Sequence, residues 1–166
     1  MPASFTCSIC GKEHPGLTTD WAYKLPDVVW AIPEGERKTA ARFSDDLCQF
    51  GERLFIRCVL PVPLRETGGE FGWGAWAEVE RPVFARYLEL YDKDGSAEPA
   101  DSGTLANALP AYVNSLGADV LVQFRDASKR PTLHLREADD GLLAREQRSG
   151  IDDVRYHEVL ESLSRG

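Results

Sequence analysis

The stretch that decides the fold is Leu47-Cys48-Gln49-Phe50-Gly51-Glu52-Arg53-Leu54-Phe55-Ile56-Arg57-Cys58-Val59-Leu60. Gly51-Glu52 is a hairpin-type turn, so residues 47–50 and 53–60 are predicted to form two antiparallel strands. One face of the second strand is apolar and carries Leu54, Ile56, Cys58 and Leu60. Pro61 and Pro63 follow and lack backbone donors, so the strand either ends there or continues at the edge of a sheet.

Outward from this hairpin, apolar periodicity predicts the remaining elements. Strands are expected at residues 71–80, 104–109, 119–125 and 132–137, the last two as a second hairpin. Helices are expected at residues 26–32, 34–41, 82–91, 140–148 and 152–163. The fold class is therefore α+β, with a mainly antiparallel sheet of about five or six strands, flanking helices and an N-terminal zinc knuckle. Residues 1–166 are expected to form a single domain, with a knuckle at 1–20 and an α+β body at 21–166.

The composition sets limits on function. The chain has 166 residues, a formal net charge of −8 and 43% hydrophobic residues, which suits one well-packed core without a disulfide framework. Its acidic balance disfavours nucleic acid and anionic membrane surfaces as partners. No run of apolar residues is long enough to span a membrane, and the first residues lack the pattern of an export signal. A cytoplasmic location is expected.

The strongest chemical signal is the pair Cys7 and Cys10, followed by Gly11. Two thiolates at this spacing can bind one zinc ion, and the glycine lets the backbone turn tightly around the sulfurs. A structural zinc site needs two more ligands, and the candidates are His14 and Cys48. Cys58 lies on the apolar strand face and is interpreted as a small buried hydrophobe.

Alternatives to this zinc site remain open. The pair Cys7 and Cys10 could be a redox pair, although Gly11-Lys12 is a poor start for the helix that such a pair requires. The four cysteines could be unrelated, since one Cys-x2-Cys is half of a site. His14 could be a solvent-exposed histidine, in which case Cys58 could complete the ligand set.

The segment Phe71-Gly72-Trp73-Gly74-Ala75-Trp76 combines large aromatic residues with glycines. In one continuous strand the glycines would share a face with Trp76, leaving a shallow trough and making Trp76 more exposed than Trp73. Together with Arg57, the two tryptophans form the candidate binding surface. The alternative is that Trp73 packs in the core and the glycines admit a neighbouring strand or helix.

Several motifs, taken together and in this order, resemble a bacterial family known as domain of unknown function 2199. They are Cys7-Ser8-Ile9-Cys10-Gly11-Lys12-Glu13-His14-Pro15-Gly16-Leu17, Ser44-Asp45-Asp46-Leu47-Cys48, Phe55-Ile56-Arg57, Phe71-Gly72-Trp73-Gly74-Ala75-Trp76 and Glu146-Gln147-Arg148-Ser149-Gly150-Ile151. The resemblance implies a bacterial cytoplasmic protein and supports grouping Cys7, Cys10, His14 and Cys48. This chain departs from the family pattern at Gly141-Leu142, where a His-Pro pair is usual, and at Cys58, where a glycine is usual.

Two classes of function follow. The first is a non-catalytic protein-interaction module with a structural zinc, such as an immunity-type protein or an adaptor. The alternative is a zinc-dependent hydrolase in which water occupies an open metal position and Glu13 acts as the base. A zinc module for nucleic acid is disfavoured, because residues 1–25 carry as many acidic as basic side chains.

The zinc hypothesis predicts the effect of replacing its most distant ligand. Cys48→Ser should lower zinc affinity and release the N-terminal segment, because Cys48 joins the knuckle to the sheet. Limited proteolysis should then cleave near Lys12 and Lys24 in the variant and in chelator-treated protein, but not in zinc-loaded protein. Cys58→Ala is the control and should leave the metal content unchanged. Untreated protein that holds no zinc and still resists cleavage would contradict the hypothesis.

Overall fold

The computed structural model describes residues 5–6, 13–14 and 20–164, with only the backbone described at residues 5, 6, 13, 14 and 164. The strands are β1 (Phe5–Thr6), β2 (Glu13–His14), β3 (Asp20–Ala22), β4 (Arg42–Phe43), β5 (Leu47–Phe50), β6 (Arg53–Arg57), β7 (Leu60–Pro63), β8 (Glu70–Gly74), β9 (Trp76–Val79), β10 (Asp101–Leu105), β11 (Asp119–Gln123) and β12 (Thr132–Leu135). The helices are α1 (Asp27–Trp30), α2 (Glu34–Ala40), α3 (Arg81–Glu89), α4 (Leu142–Ser149) and α5 (Asp153–Ser164). None of these helices is both long and apolar enough to cross a membrane.

The strands form a larger and a smaller sheet, and β1 pairs with β2 separately. The seven-stranded sheet has the order β12-β11-β10-β9-β6-β5-β4, and every pairing in it is antiparallel. The three-stranded sheet has the order β3-β8-β7, in which β3 runs parallel to β8. The predicted α+β class with a mainly antiparallel sheet is confirmed, and so are the hairpins β5–β6 and β11–β12.

Two segments predicted as single strands are each divided between the sheets. The first is β6 followed by β7, and the second is β8 followed by β9. The breaks lie side by side, since the backbone N–H of Cys58 donates to the carbonyl of Ala75 at 2.9 Å. Strand β7 is an edge strand, which accommodates the missing donors of Pro61 and Pro63 as predicted.

Helices α3, α4 and α5 bury apolar side chains in the main core, whereas α1 contributes Val29 to a smaller core. Helical periodicity predicts that Tyr156, Val159, Leu160 and Leu163 form the apolar stripe of the last helix, and all four are buried, which confirms it. Helical spacing predicts an apolar stripe of Phe84, Tyr87, Leu88 and Tyr91 for the helix expected at residues 82–91, and this prediction is partly wrong. Val83 and Tyr87 face the core, whereas Leu88 and Tyr91 are about half exposed, so α3 is rotated from the expected orientation.

The predicted trough in the Phe71–Trp76 segment is filled. Strand β3 pairs with β8 and sets Ala22 opposite Gly74, where an added Cβ would lie only 2.9 Å from the Ala22 Cβ. Trp73 and Trp76 are both 0% exposed, so the expectations of a tryptophan binding surface and of a more exposed Trp76 are wrong. The break at Ala75 interrupts the strand alternation on which that expectation depended, and Trp76 packs in a second, smaller core.

This close approach predicts that Gly74→Ala destabilises the protein. The new methyl group must push β3 away from β8, which should cost about 1 to 3 kcal/mol of unfolding free energy, as overpacking does. Urea denaturation followed by tryptophan fluorescence measures the change. The control is Gly35→Ala in the exposed part of α2, where an added Cβ meets open space and should stabilise slightly. Equal stability of wild type and Gly74→Ala would show that β3 does not pack here.

Candidate functional site

Most of the predicted zinc ligands fall outside the described residues or lack a described side chain. Cys7 and Cys10 lie outside the described residues. The backbone of His14 lies in β2, opposite Phe5 of β1. A short strand at Glu13–His14 was not predicted, because the sequence there has few apolar residues.

Cys48 lies in β5 and is 1% exposed. It packs in the smaller core with Leu25, Val29, Ala41, Phe55, Trp76 and Ala106. Burial raises the pKa of its thiol to about 11, so the free thiol is protonated at neutral pH. Among residues 20–164, no three His, Cys, Asp or Glu side chains are grouped to hold a metal. A zinc site at Cys48 therefore depends on ligands from the first nineteen residues.

Cys58 is fully buried, as its interpretation as a small hydrophobe requires. Its thiol lies 3.4 Å from the carbonyl oxygen of Ile56, to which it donates. Burial raises the pKa of this thiol well above its usual range. Cys58 is therefore an inert packing residue at the break between β6 and β7.

A basic cleft opens beside the smaller core, and we call it the Trp30 cleft. It has a volume of about 700 Å³, and its lining includes Lys24, Trp30, Arg37, Lys38, Phe43 and Arg57. Buried Asn107 fixes α1 next to the sheet. Its amide donates to the carbonyl of Leu25 at 3.0 Å and to the carboxylate of Asp27 at 2.9 Å, while its oxygen accepts from the backbone N–H of Trp76 at 2.8 Å.

One wall of the Trp30 cleft is formed by Trp30 and Arg37. The Arg37 guanidinium lies 4.2 Å from the centre of the Trp30 ring, within the range of a cation–π contact. Its Nε donates to the carbonyl of Ile32 at 2.9 Å, and its Nη2 donates to the carbonyl of Trp30 at 2.7 Å. These bonds fix the Arg37 guanidinium over the Trp30 ring, yet Trp30 remains 53% exposed.

Arg57 forms the inner end of the cleft, at the last residue of β6. Its Nη1 donates to the carbonyl of Asp45 at 3.2 Å, and its Nε is shielded from solvent without a hydrogen-bond partner within the described part of the chain. Burial and the nearby cation of Arg130 lower the pKa of Arg57. An anion bound at the Nη2 side of this guanidinium would offset the repulsion from Arg130.

The turn before β5 separates Arg57 from Arg130. Asp46 in this turn accepts from Arg130 Nε at 3.0 Å and from the Tyr91 hydroxyl at 2.6 Å. Burial tends to raise the pKa of Asp46, but the hydrogen bonds from Tyr91 and Arg130 outweigh it and lower the pKa. Asp46 is thus held as a carboxylate that fixes both neighbours.

Sequence reasoning found only Arg57 among the residues of this cleft. Lys24, Trp30 and Arg37 precede Arg57 by 33, 27 and 20 positions in the chain. Their one local signal was an aromatic residue and cations in or next to two short predicted helices, since Trp30 and Arg37 lie within them and Lys24 just before the first. That signal does not indicate where the helices pack.

The fold and the cleft define an α+β domain whose described surface offers a basic, aromatic-lined recess in an acidic chain. The chain belongs to the family described as "Uncharacterized protein conserved in bacteria (DUF2199)", whose model matches residues 6–151. This match confirms the resemblance found in the sequence motifs. Comparisons with curated proteins and with solved structures each gave no match.

The lowered pKa of Asp46 predicts a pH dependence of stability. Because the pKa is lower in the folded than in the unfolded state, Asp46 stabilises the fold above its ordinary pKa, and this contribution is lost as pH falls through the folded value. Unfolding free energies measured in urea between about pH 6 and pH 3 should fall less steeply for Asp46→Asn than for wild type.

Tyr91→Phe is the matched intermediate case, since it removes one of the two side-chain hydrogen bonds to Asp46. The dependence of its unfolding free energy on pH should be intermediate between those of wild type and Asp46→Asn. If all three proteins lose stability in parallel, Asp46 does not have a lowered pKa.

Proposed function

We propose that this protein is a non-catalytic protein-interaction module that binds an acidic segment of a partner in the Trp30 cleft. The proposal includes a structural zinc held by Cys7, Cys10, His14 and Cys48, and a cytoplasmic location. The partner is expected to be a protein rather than a nucleic acid or a membrane surface.

The observation that carries the proposal is the state of Arg57. A shielded guanidinium nitrogen without a partner in the described residues costs free energy, as does a second arginine cation nearby. Arg57 Nη2 has no acceptor among the described residues, and a carboxylate bound there would offset the repulsion from the second cation, because arginine forms strong charge-assisted hydrogen bonds to a planar oxyanion. The open side of Arg57 therefore favours an acidic ligand.

The rest of the cleft supports a peptide rather than a single ion. Four basic residues line it, namely Lys24, Arg37, Lys38 and Arg57, against the acidic residues Glu34 and Asp45. Trp30 is 53% and Phe43 36% exposed, so two aromatic surfaces accompany the positive charge. Exposed Trp and Arg side chains in a recess are typical anchors of protein interfaces. A segment that alternates acidic and apolar residues matches both features.

The proposed zinc has a separate role, which is to hold the first nineteen residues against the body. Three thiolates and one imidazole are a common donor set for structural zinc. Zinc bound to Cys48 would deprotonate its thiol despite the raised pKa of the free group. Lys24 comes shortly after this N-terminal segment in the chain. Zinc that holds the segment against the body would therefore also help to fix Lys24 in the cleft.

The proposal predicts charge-dependent peptide binding. A peptide of about ten residues that alternates Glu and Phe should bind, and its counterpart with Gln for Glu should bind at least about tenfold more weakly. Isothermal titration calorimetry with the full chain measures both affinities. Binding of the acidic peptide should weaken with added salt.

Variants locate the peptide. Arg57→Gln and Trp30→Ala should each weaken binding about tenfold or more, because they remove the oxyanion donor and the aromatic wall. Arg65→Gln is the matched control. This arginine is exposed outside the cleft, with a side chain 56% accessible, and its replacement should leave the affinity unchanged. Equal binding of the acidic and neutral peptides, or full affinity of Arg57→Gln, would refute the proposal.

A further inference from the structure

A second recess lies on the other side of the Asp45–Asp46 turn, and we call it the Tyr87 cavity. It has a volume of about 400 Å³, which lies within the usual range for small-ligand sites. Half-buried Val59 and Leu90 line it together with Tyr87 and Phe124, and residues 125–130 form its rim. None of the basic residues of the Trp30 cleft lines it.

Within the residues that the structure describes, two arginines at this cavity are held by their Nε atoms alone. Arg125 Nε donates to the carbonyl of Arg130 at 2.7 Å, and Arg130 Nε donates to the Asp46 carboxylate at 3.0 Å. Among the described residues, the Nη1 and Nη2 atoms of both side chains have no hydrogen-bond acceptor. The protein thus fixes two guanidinium groups and leaves their terminal donors for a ligand, which reduces the entropy lost on binding.

The acidic groups at the cavity are already engaged. Asp126 accepts from the backbone N–H of Ser128 at 2.9 Å and from its hydroxyl at 2.5 Å. Asp46 accepts from Arg130 and from Tyr91. Exposed Lys129 adds a third cation to the rim. The cavity therefore presents the Nη donors of Arg125 and Arg130, and positive charge, above a partly apolar floor.

We propose that the Tyr87 cavity binds a small organic oxyanion, a carboxylate or a phosphate monoester, with its charged group on Arg125 and Arg130 and its apolar part against Leu90 and Val59. Both anionic groups share the planar or forked acceptor geometry that guanidinium donors match. This site is independent of peptide binding in the Trp30 cleft and stands if that proposal fails.

The test uses the full ¹⁵N-labelled chain and three probes: phenyl phosphate, benzoate and uncharged benzamide. Up to about 5 mM of each is titrated, which detects millimolar affinities. The anions should give saturable shifts at the amides of Gly95 and Ser128, which line the cavity. The anion that binds more tightly identifies the natural ligand as a phosphate ester or a carboxylate. No saturable shift by either anion, equal binding of benzamide, or shifts centred on Trp30 and Arg57 would overturn the proposal.

Two variants test the position of the ligand. Ala127→Trp places a large side chain on the exposed rim and should abolish binding, whereas Ala85→Trp on the exposed side of α3 is the matched control and should bind normally. Arg130→Lys keeps the positive charge but removes the paired N–H donors of the planar guanidinium group, and should weaken binding about tenfold. Unchanged affinity in Ala127→Trp overturns the site, and this arm remains decisive if Arg130→Lys fails to fold.

Discussion

The rest of the structure depends on two strand breaks that lie side by side, one between β6 and β7 and the other between β8 and β9. Cys58 and Ala75 are both fully buried and are joined by a 2.9 Å backbone hydrogen bond. In the first of these breaks, Val59 accepts from the Leu133 amide at 2.8 Å and donates to the Pro131 carbonyl at 2.9 Å. The three-stranded sheet is thereby folded back onto the far edge of the seven-stranded one, and the main core is enclosed between them. Only small side chains fit at such a crossing, because close-packed interiors tolerate little added volume.

The segment Glu146–Ile151 closes the structure at the outer edge of β7. The Gln147 amide donates to the carbonyls of Leu133 at 2.8 Å and Pro61 at 3.2 Å, and its oxygen accepts from the Leu135 amide at 2.8 Å. Gly150 then turns the chain at φ +79°, where an added Cβ would lie 3.0 Å from the Pro63 carbonyl. One side chain thus satisfies backbone groups of two strands, and an edge that could pair with another chain is covered. The family motif recognised in this segment has a structural explanation here.

The Asp45–Asp46 turn organises the charges of a chain whose net charge is −8. It places Arg57 on one side and Arg130 on the other, close enough for Arg130 to lower the pKa of Arg57. The carboxylate of Asp46 holds Arg130, whereas within the described part of the chain Arg57 is held only through a backbone carbonyl. Basic side chains are therefore gathered in two recesses of a chain whose net charge is acidic, and their charges act mainly at short distance because solvent and salt screen them.

The sequence by itself determined what depends on neighbours in the chain. Alternation and turn residues were enough to predict the hairpins β5–β6 and β11–β12. Helical periodicity was enough to predict the apolar stripe of α5. The apolar face of the strand predicted at residues 53–60 was enough to predict the burial of Cys58. Only the tertiary structure decided that the Phe71–Trp76 segment divides between two sheets, which buries Trp76 and fills the expected trough. It also decided the Trp30 cleft, because Trp30, Arg37 and Arg57 meet only when α1 docks through Asn107 and the β5–β6 register sets the end of β6. Long-range packing of this kind leaves no local pattern, since each residue taken alone is an ordinary exposed aromatic or cation.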